Sequence, residues 1–596
     1  MNCLLIGLGP HAKRIYLEFL QNETYIDKVI VVDLVTEKEK VESILNKTEL
    51  KYELILLNNS VRNNKELSEE DELILYKTVK ENNIKKVIIS TEPRSHKMYI
   101  DFCLKYGLDI MCDKPITTPL YTNTFQGSSL ISEEYDELLE NFENSNSEMF
   151  EIQTQRRAHK GYRAIRKIIS DVVQEYKVPI NKITISHSDG TWSMPSETVF
   201  RENHPYKYGY GKLMHSGYHF LDLLSFFIEI NEENGFSYHH KSVMSTDYRP
   251  NDFYSYFGKK FNEKLGFFDK NEYYENLNIV RNFGEFDISA IVDYKDNDEN
   301  IITTAHLELS QSGFSKRAWF DLPEDTYKGN GRIRHEFVDI TVGPLLNIKV
   351  LSYQSSEVGE GKIDDNSIGG LDHFDILVFR NSAIIGGKTF EKLNLNNNDE
   401  RNYYLGQNEV ARFDILRDYF LSKKSYSNIS KHKEAISLLS DLHYNMSKRF
   451  KDDNFRFAVE VLLRYNGKYL ICQRSLNAKV APGIWNIPAG KVKHNEGIEE
   501  AILRECQEET NIQLKNVEYL DYSFINKEHK RIVYLYFSEL EDISDLKIDD
   551  TEFDDWKFIE PSEVDKIPSL NLHIKKWIKK IECSEGKNNV KLIERI

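Results

Sequence analysis

Long apolar runs are missing from this chain: no stretch approaches the roughly 20 residues that a membrane-spanning helix needs. The expectation is therefore a protein without membrane spans. Its first residues, Met1 to Gly7, enter a buried-strand pattern and read as no signal peptide. Cysteine is scarce. The six present (Cys3, Cys103, Cys112, Cys472, Cys506 and Cys583) lack paired or metal-like spacing, which argues against a disulfide scaffold or a zinc cluster and for reduced thiols in the cytoplasm. Positive charge is in deficit, with 78 Lys and Arg against 95 Asp and Glu and a net charge of −17. A sequence-independent grip on nucleic acid needs clustered cations, so no nucleic-acid partner is expected. A small anionic ligand is compatible with that charge, because backbone donors and metal ions act locally. Internal repeats and low-complexity tracts are also absent.

What remains is material for several cores. The chain has 596 residues, more than one hydrophobic core organises, and its 34 Tyr and 32 Phe can fill more than one. The first 120 residues alternate short apolar runs (Cys3–Ile6, Val29–Val32, Leu54–Leu57, Lys86–Ile89, Leu108–Met111) with helical stretches at Ala12–Gln21, Glu70–Asn82 and Lys97–Tyr106. Strand, helix, strand at this spacing predicts a parallel sheet with right-handed crossovers. After a strand at Phe150–Thr154 and a helix near Tyr162–Tyr176, longer alternating segments follow at Ile183–Ser188, Phe286–Asp293, Ile301–Leu309 and Ile340–Leu351. They predict an open, mostly antiparallel sheet with one wet face. Two helices, Asn408–Ser422 and Lys431–Asn445, precede a charged run, Lys448–Asn454, that reads as a linker, and Phe457–Leu463 opens a fresh strand pattern.

The strand Cys3–Ile6 runs into Gly7-Leu8-Gly9-Pro10-His11-Ala12, a G-x-G-x-x-A pattern opening a helix. The first glycine makes the turn, the second admits a pyrophosphate, and the small Ala12 lets helix and strand pack closely. Pro10 fits the first helical turn, where its missing N–H costs nothing, and phosphates sit well on the free N–H groups of a helix start. Asp33 ends the second strand, 24 residues after Gly9. A carboxylate there accepts ribose hydroxyls and repels a 2′-phosphate, so NAD is the expected cofactor ahead of NADP.

Two further segments sharpen this. Thr91-Glu92-Pro93-Arg94-Ser95-His96 follows the fourth strand, and Asp113-Lys114-Pro115 follows the fifth. Gly209-Tyr-Gly211-Lys212-Leu-Met-His215-Ser-Gly217-Tyr-His219-Phe-Leu-Asp222 is a glycine-rich helix start that sets His215, His219 and Asp222 at i, i+4 and i+7, on one helical face. Residues 1 to about 447 resemble the Gfo/Idh/MocA family of sugar and inositol dehydrogenases, which carries T-P-x-x-x-H, E-K-P and G-G-x-x-x-D-x-G-x-H-x-x-D. Here the proline comes one place late at Pro93, Asp113 replaces Glu, and His215 replaces Asp, which leaves substrate orientation by that residue open. The resemblance implies cofactor contacts from Thr91, Pro93 and His96 beside Gly7, Gly9, Pro10, His11, Ala12 and Asp33. It implies a cis Lys114–Pro115 peptide, a Lys114 ammonium aimed at the substrate hydroxyl, and His219 as the acid/base. His215 joins these as a catalytic candidate. It also implies that the terminal helices return to the Rossmann domain. Gln153, Arg156, Arg157, Trp192, Arg201 and Tyr206 are further candidates for the pocket, and the aromatic stretch Glu232–Glu285 for a lid or an interface.

The strongest local signal is Gly490-x5-Glu496-x7-Arg504-Glu505-Cys506-Gln507-Glu508-Glu509-Thr510-Asn511-Ile512. With 3.6 residues per turn, Glu505, Glu508 and Glu509 project from one side of a helix. Alone, E-x-x-E-E is usually a solvated face; with Gly490, Glu496 and Arg504 at these spacings it resembles the Nudix box, over residues 453–596. The resemblance implies hydrolysis of a nucleoside diphosphate linked to some moiety X, with Mg²⁺ or Mn²⁺ held by Glu505, Glu508, Glu509 and Gly490. Glu508 and Arg504 are the catalytic candidates, Arg504 pointing away from the metal face to pair with an acid such as Glu496. Glu552, ahead of Trp556, is the candidate general base. Asn511, in place of glycine, is expected in the left-handed conformation.

The predicted architecture is a Rossmann doubly wound parallel sheet (1–120), then an open, mostly antiparallel sheet domain for substrate and oligomerisation (121–447), a linker (448–454) and a Nudix α/β/α sandwich (455–596). The expected function is a cytoplasmic, bifunctional enzyme acting on small molecules, and a homo-oligomer. The alternative is a dehydrogenase regulated by a non-catalytic, nucleotide-sensing Nudix domain.

Overall fold

A computed structural model describes residues 1–596 except 60, 62–65, 120, 202–203, 257–279, 281–282, 316–332, 356–372, 395–406, 424–426, 449–455, 479–480, 494–497, 527–529, 568 and 586–596. The chain divides into two compact units, Met1–Arg449 and Phe450–Ile596. Apart from Lys448, the run read as a linker lies outside the described residues. Among the described residues no helix is long and apolar enough to cross a membrane.

The first unit opens with six parallel strands: β1 (Asn2–Ile6), β2 (Lys28–Leu34), β3 (Tyr52–Leu57), β4 (Lys86–Ile89), β5 (Asp109–Cys112) and β6 (Phe150–Ile152). Their order is β3-β2-β1-β4-β5-β6, with parallel partners throughout. This is the doubly wound arrangement, in which the crevice lies beyond the carboxyl ends of the strands where the order reverses, here between β1 and β4. Cys3, Leu4, Leu5 and Ile6 are all buried, as both-face coverage of a parallel strand requires. The helix Gln407–Phe420 closes on this sheet, with the Tyr419 hydroxyl bonded to Val87 and Asp109 backbone and Phe420 stacked on Phe19.

An eight-stranded sheet follows: β7 (Lys182–Ser188), β8 (His240–Tyr248), β9 (Asp287–Lys295), β10 (Ile301–Ser310), β11 (Ile333–Val342), β12 (Leu346–Ser355), β13 (His373–Arg380) and β14 (Phe390–Asn394). Its order is β14-β13-β12-β11-β7-β10-β9-β8, with β7 and β10 parallel and the rest antiparallel. Helices Lys160–Tyr176 and Tyr218–Glu233 contribute Ile165, Ile169, Leu223 and Phe227 to the core this sheet shares. One expectation needs correcting. Ile340–Leu351 is no single strand: the chain reverses at Gly343, with φ +46°, and Val342 pairs with Leu346. Period-two alternation continues across such a turn, so it hides the reversal. The stretch Glu232–Glu285 contains the edge strand β8, whose burial pattern has no fully buried position, so its hydrophobic signal is faint.

The second unit is one sheet, β17 (Trp485–Asn486), β16 (Lys468–Arg474), β15 (Arg456–Tyr465), β20 (Lys530–Glu539) and β19 (Glu518–Asn526), with β18 (Ala489–Lys491) on β15 and β21 (Phe553–Ile559) on β16. Only β15 and β20 among these pairs run parallel. Successive side chains face opposite ways. Leu462, Tyr469 and Ile471 pack with Ile574, Trp577 and Ile578 of the helix Leu572–Glu585. The alternate residue Cys472 faces Glu509 and Cys506 of the helix Ile498–Thr510. A sheet between two helices results.

Candidate active sites

In the first unit the glycine turn stands at the carboxyl end of β1. Gly7 has φ +87°, and an added Cβ would meet the Ser90 carbonyl oxygen at 2.6 Å; only glycine fits. At Gly9 an added Cβ would meet nothing within 4 Å, so open space lies against the backbone where the helix begins. Pro10 takes the first helical position and Ala12 is fully buried. Asp33 accepts the Leu8 N–H at 2.9 Å and the Leu34 N–H at 2.8 Å, which fixes its carboxylate beside the turn.

Asp113 is held by hydroxyls of Tyr16 and Ser90, with His11 Nε2 at 3.5 Å. Burial works to raise its pKa, but His11 and the two hydroxyls outweigh it and keep the carboxyl below its usual range. The Lys114–Pro115 peptide is cis. Lys114 Nζ donates to the backbone carbonyl of His215, bringing the fifth-strand turn onto the helix that carries both histidines. His215 sits in a π-helical turn, Leu213–Gly217, that runs into the helix of His219; such turns recur at functional sites. Both rings are 7 % exposed. His215 Nε2 and His219 Nδ1 have no hydrogen-bond partner among the described residues. Burial, then the Lys114 charge and those of Arg156 and Arg412, hold His219 well below 6.5, so the ring is neutral.

His96 is fully buried, with Nδ1 3.0 Å from the Pro115 carbonyl and Nε2 3.2 Å from that of Thr91. It ties the Thr91 and Pro115 turns together. Asp222 bonds Arg157 at 2.6 Å, and Arg157 also binds Glu229. Both residues therefore belong to a buried structural network, although Asp222 shares a helix face with His219. Thr91 and Pro93 stand beside this turn: a Cβ on Gly7 would meet Thr91 Cγ2 at 3.0 Å, and Pro93 lines a cleft with Glu92, Arg94, Pro115, Thr118, His204 and His215. His204 escaped the sequence reading. Its ring stacks on His215 at 5.0 Å, and Tyr206 meets His215 edge-on at 5.0 Å. Nothing in the local sequence marks His204, because its partner lies eleven residues on, across a turn.

In the second unit the helix Ile498–Thr510 buries Ile498, Ala501, Ile502 and Cys506. It stops at Asn511, which adopts φ +59° as expected and returns its N–H to Gln507. Glu505 lies against Gly490: a Cβ there would fall 1.8 Å from the Glu505 carboxyl carbon. Glu509 is 5 % exposed and accepts the Ala489 N–H at 2.9 Å. Burial, with Glu505 and Glu552 nearby, pushes its pKa up to about 8. Glu552 pairs with Arg474 at 3.3 Å and is half-exposed. Arg504, expected to pair with acidic neighbours such as Glu496, bonds Glu505 at 2.7 Å and Glu508 at 2.8 Å through Nη1. The i,i+4 spacing to Glu508 sets that contact. Glu496, its expected partner, lies outside the described residues. Among the described residues no three acidic, His or Cys side chains converge as a ready metal cluster.

Residues 1–128 match the oxidoreductase family with an NAD-binding Rossmann fold, and residues 454–581 match the NUDIX domain. The nucleoside triphosphatase NudI of Escherichia coli K12 is 32 % identical over 114 residues, 17 % of this chain and 80 % of that protein. The chain carries a Gfo/Idh/MocA-family oxidoreductase domain joined to a Nudix domain. Among solved structures, an Agrobacterium radiobacter oxidoreductase in complex with NAD+, L-tartaric acid and magnesium aligns with TM-score 0.45 at 10 % identity, over 75 % of this chain and 97 % of that one. The MutT protein of Methanosarcina mazei Go1 aligns with TM-score 0.21 at 21 % identity, over 22 % of this chain and 97 % of that one.

The oxidoreductase end fits a dinucleotide. The bare Cα of Gly9 leaves room for a pyrophosphate at a helix start, and Asp33 is fixed where ribose hydroxyls would lie. A bound NAD(P) would supply the hydride acceptor. The Nudix end fits a hard divalent cation by donor type: Glu505, Glu508 and Glu509 are oxygen ligands on one helix face. Burial raises the pKa of the Glu509 carboxyl, against the Ala489 N–H and the Arg474 charge, which act to lower it; a divalent cation there would lower it further.

Proposed function

We propose that the oxidoreductase unit transfers hydride between NAD and a hydroxyl-bearing carbon of a sugar, cyclitol or sugar derivative. The observation that carries this is the Lys114–His215 contact, which brings a lysine to the helix of the neutral His219, whose Nδ1 has no hydrogen-bond partner among the described residues. His219 takes the hydroxyl proton, for which a neutral imidazole is suited, and Lys114 stabilises the developing alkoxide. Oxidation of a sugar and inositol panel, followed as NADH formation, tests the reading. No NADH across the panel, or undiminished rates in Lys114→Ala, overturns it.

The Nudix unit, on this proposal, hydrolyses a nucleoside diphosphate linked to a moiety X, with Mg²⁺ or Mn²⁺ on Glu505, Glu508 and Glu509. Because NudI is named a nucleoside triphosphatase, nucleoside triphosphates belong in the test panel beside nucleotide-sugars and ADP-ribose. One observation favours a second reading: the Arg504 guanidinium stands between Glu505 and Glu508. A domain that kept it there would sense nucleotide without cleaving it. Phosphate or nucleotide release with Mg²⁺ decides, and no turnover across the panel favours the sensor. Small-molecule substrates, a cytoplasmic setting and a homo-oligomer complete the proposal.

A further inference from the structure

A cleft opens beside the Lys114–Pro115 turn, with Glu92, Arg94, Thr118, His204, Tyr210 and His215 among its walls. Two of these are polar side chains more than nine-tenths buried. Thr118 is 6 % exposed and His215 7 %. Neither Thr118 Oγ1 nor His215 Nε2 has a hydrogen-bond partner among the described residues. A polar atom buried bare is costly, and when it lines a cleft it is poised for a ligand. Thr118 offers a hydroxyl donor, and His215 an N–H in the Nε2 tautomer. Arg94 lines the same cleft, its guanidinium 4.5 Å from the Tyr208 ring centre.

His204 shapes the remaining wall. Its backbone has φ +59°, uncommon for a residue with a side chain, and that conformation lays its ring on His215. The charged groups that bear most on these two rings are Lys114, Arg201 and His11 on the positive side and Asp113 and Asp189 on the negative. Both carboxylates are already engaged. Asp113 takes Tyr16 and Ser90, while Asp189 takes Lys212 at 2.6 Å and Ser216 at 2.5 Å. Glu92 is the one carboxylate among the lining residues. The balance at this end of the cleft is cationic, in a chain of net charge −17.

We propose that the compound oxidised by this unit carries an anionic group, a carboxylate or a phosphate, which seats between Arg94, Thr118 and the His204–His215 pair. This deepens the dehydrogenase reading and rests on it. The anion receives the Arg94 fork and the two unpartnered donors, and it offsets the neighbouring Lys114 and Arg201 charges. Its oxygens take the hydrogen bonds that Thr118 and His215 lack, and the hydroxyl to be oxidised faces Lys114.

The test compares kcat/KM for NAD reduction by the full chain across matched neutral sugars, uronates and sugar phosphates. Binding of each compound, and of inorganic phosphate, is read from the thermal midpoint with NADH present. An anionic compound is expected to exceed its neutral counterpart by about 30-fold, the size of a charge-assisted contact. The uronate and sugar-phosphate arms tell which anion it is. Arg94→Gln erases the preference and leaves the KM for NAD unchanged, and Arg94→Lys keeps part of it. Equal use of neutral and anionic compounds, no binding of any anionic compound, or a preference that survives Arg94→Gln overturns the proposal. With neutral sugars still oxidised, the dehydrogenase reading stands in each of these cases. If NADH is not bound and no compound is oxidised, that reading falls, and this proposal with it.

Discussion

The carboxylate of Glu505 rests on the bare Cα of Gly490, where any added Cβ would lie 2.1 Å from both carboxylate oxygens. The glycine of the box is thus a seat for a side chain fifteen residues later. Gly490→Ala is expected to displace Glu505 and lower Mg²⁺-dependent hydrolysis by about 10- to 100-fold, the usual effect of disturbing a ligand's support. Nucleotide release and a Mg²⁺ titration check it, with the oxidoreductase activity of the same chain as the folding control.

Gly7 and Gly9 make opposite predictions although they stand two residues apart. Gly7→Ala forces a side chain into φ +87° and against the Ser90 carbonyl, and is expected to cost on the order of 2 kcal/mol of stability. Gly9→Ala meets no protein atom within 4 Å. It is expected to leave the thermal midpoint unchanged and to raise the KM for NAD by about 10-fold or more, because the added methyl takes the pyrophosphate's space. Unfolding curves and cofactor kinetics separate the two.

His219 is held well below 6.5, by burial first and by Lys114 next. Its neutral, proton-accepting form therefore persists below the usual imidazole range, and kcat/KM for the hydroxyl compound is expected to stay level as pH falls through 6.5. Lys114→Ala removes the neighbouring charge. Its residual rate, lower by about 10²- to 10⁴-fold, is expected to fall off at a higher pH than that of the wild type. Paired pH–rate profiles test both statements.

Glu285 gives a stability prediction with a definite sign. Its carboxyl is 1 % exposed, accepts the Leu213 N–H at 2.7 Å, and burial pushes its pKa from 4.5 up to about 8. Between those values the unfolded chain has lost a proton that the folded chain keeps. Stability from this group therefore falls as pH rises from about 4.5 to about 8 and is level above that. Glu285→Gln keeps the acceptor and removes the titration. Its thermal midpoint relative to wild type is expected to climb by on the order of 5 °C from pH 5 to pH 8; a constant difference refutes the prediction.

Much of this was legible in the chain because it is local. The strand–glycine–helix run from Cys3 to Ala12, Asp33 at the end of β2, and the box from Gly490 to Asn511 each depend on residues a few turns apart, where period and spacing carry the geometry. Asn511 was read correctly for that reason: its left-handed backbone is a demand of the helix end itself. The hairpin hidden in Ile340–Leu351 was misread because alternation does not register a change of direction, and β8 was passed over because an edge strand leaves few residues buried.

The amino-acid order by itself determined two units, a dinucleotide turn and a carboxylate-bearing helix, since short-range sterics and helical periodicity suffice for each. The tertiary structure alone decided which side chains meet. It turned His96 onto two carbonyls, claimed Asp222 for Arg157, set Arg504 between Glu505 and Glu508, and stacked His204 on His215. Those pairings follow from burial: a polar group removed from water must find a partner wherever the packed chain offers one, and spacing along the sequence does not say where that is.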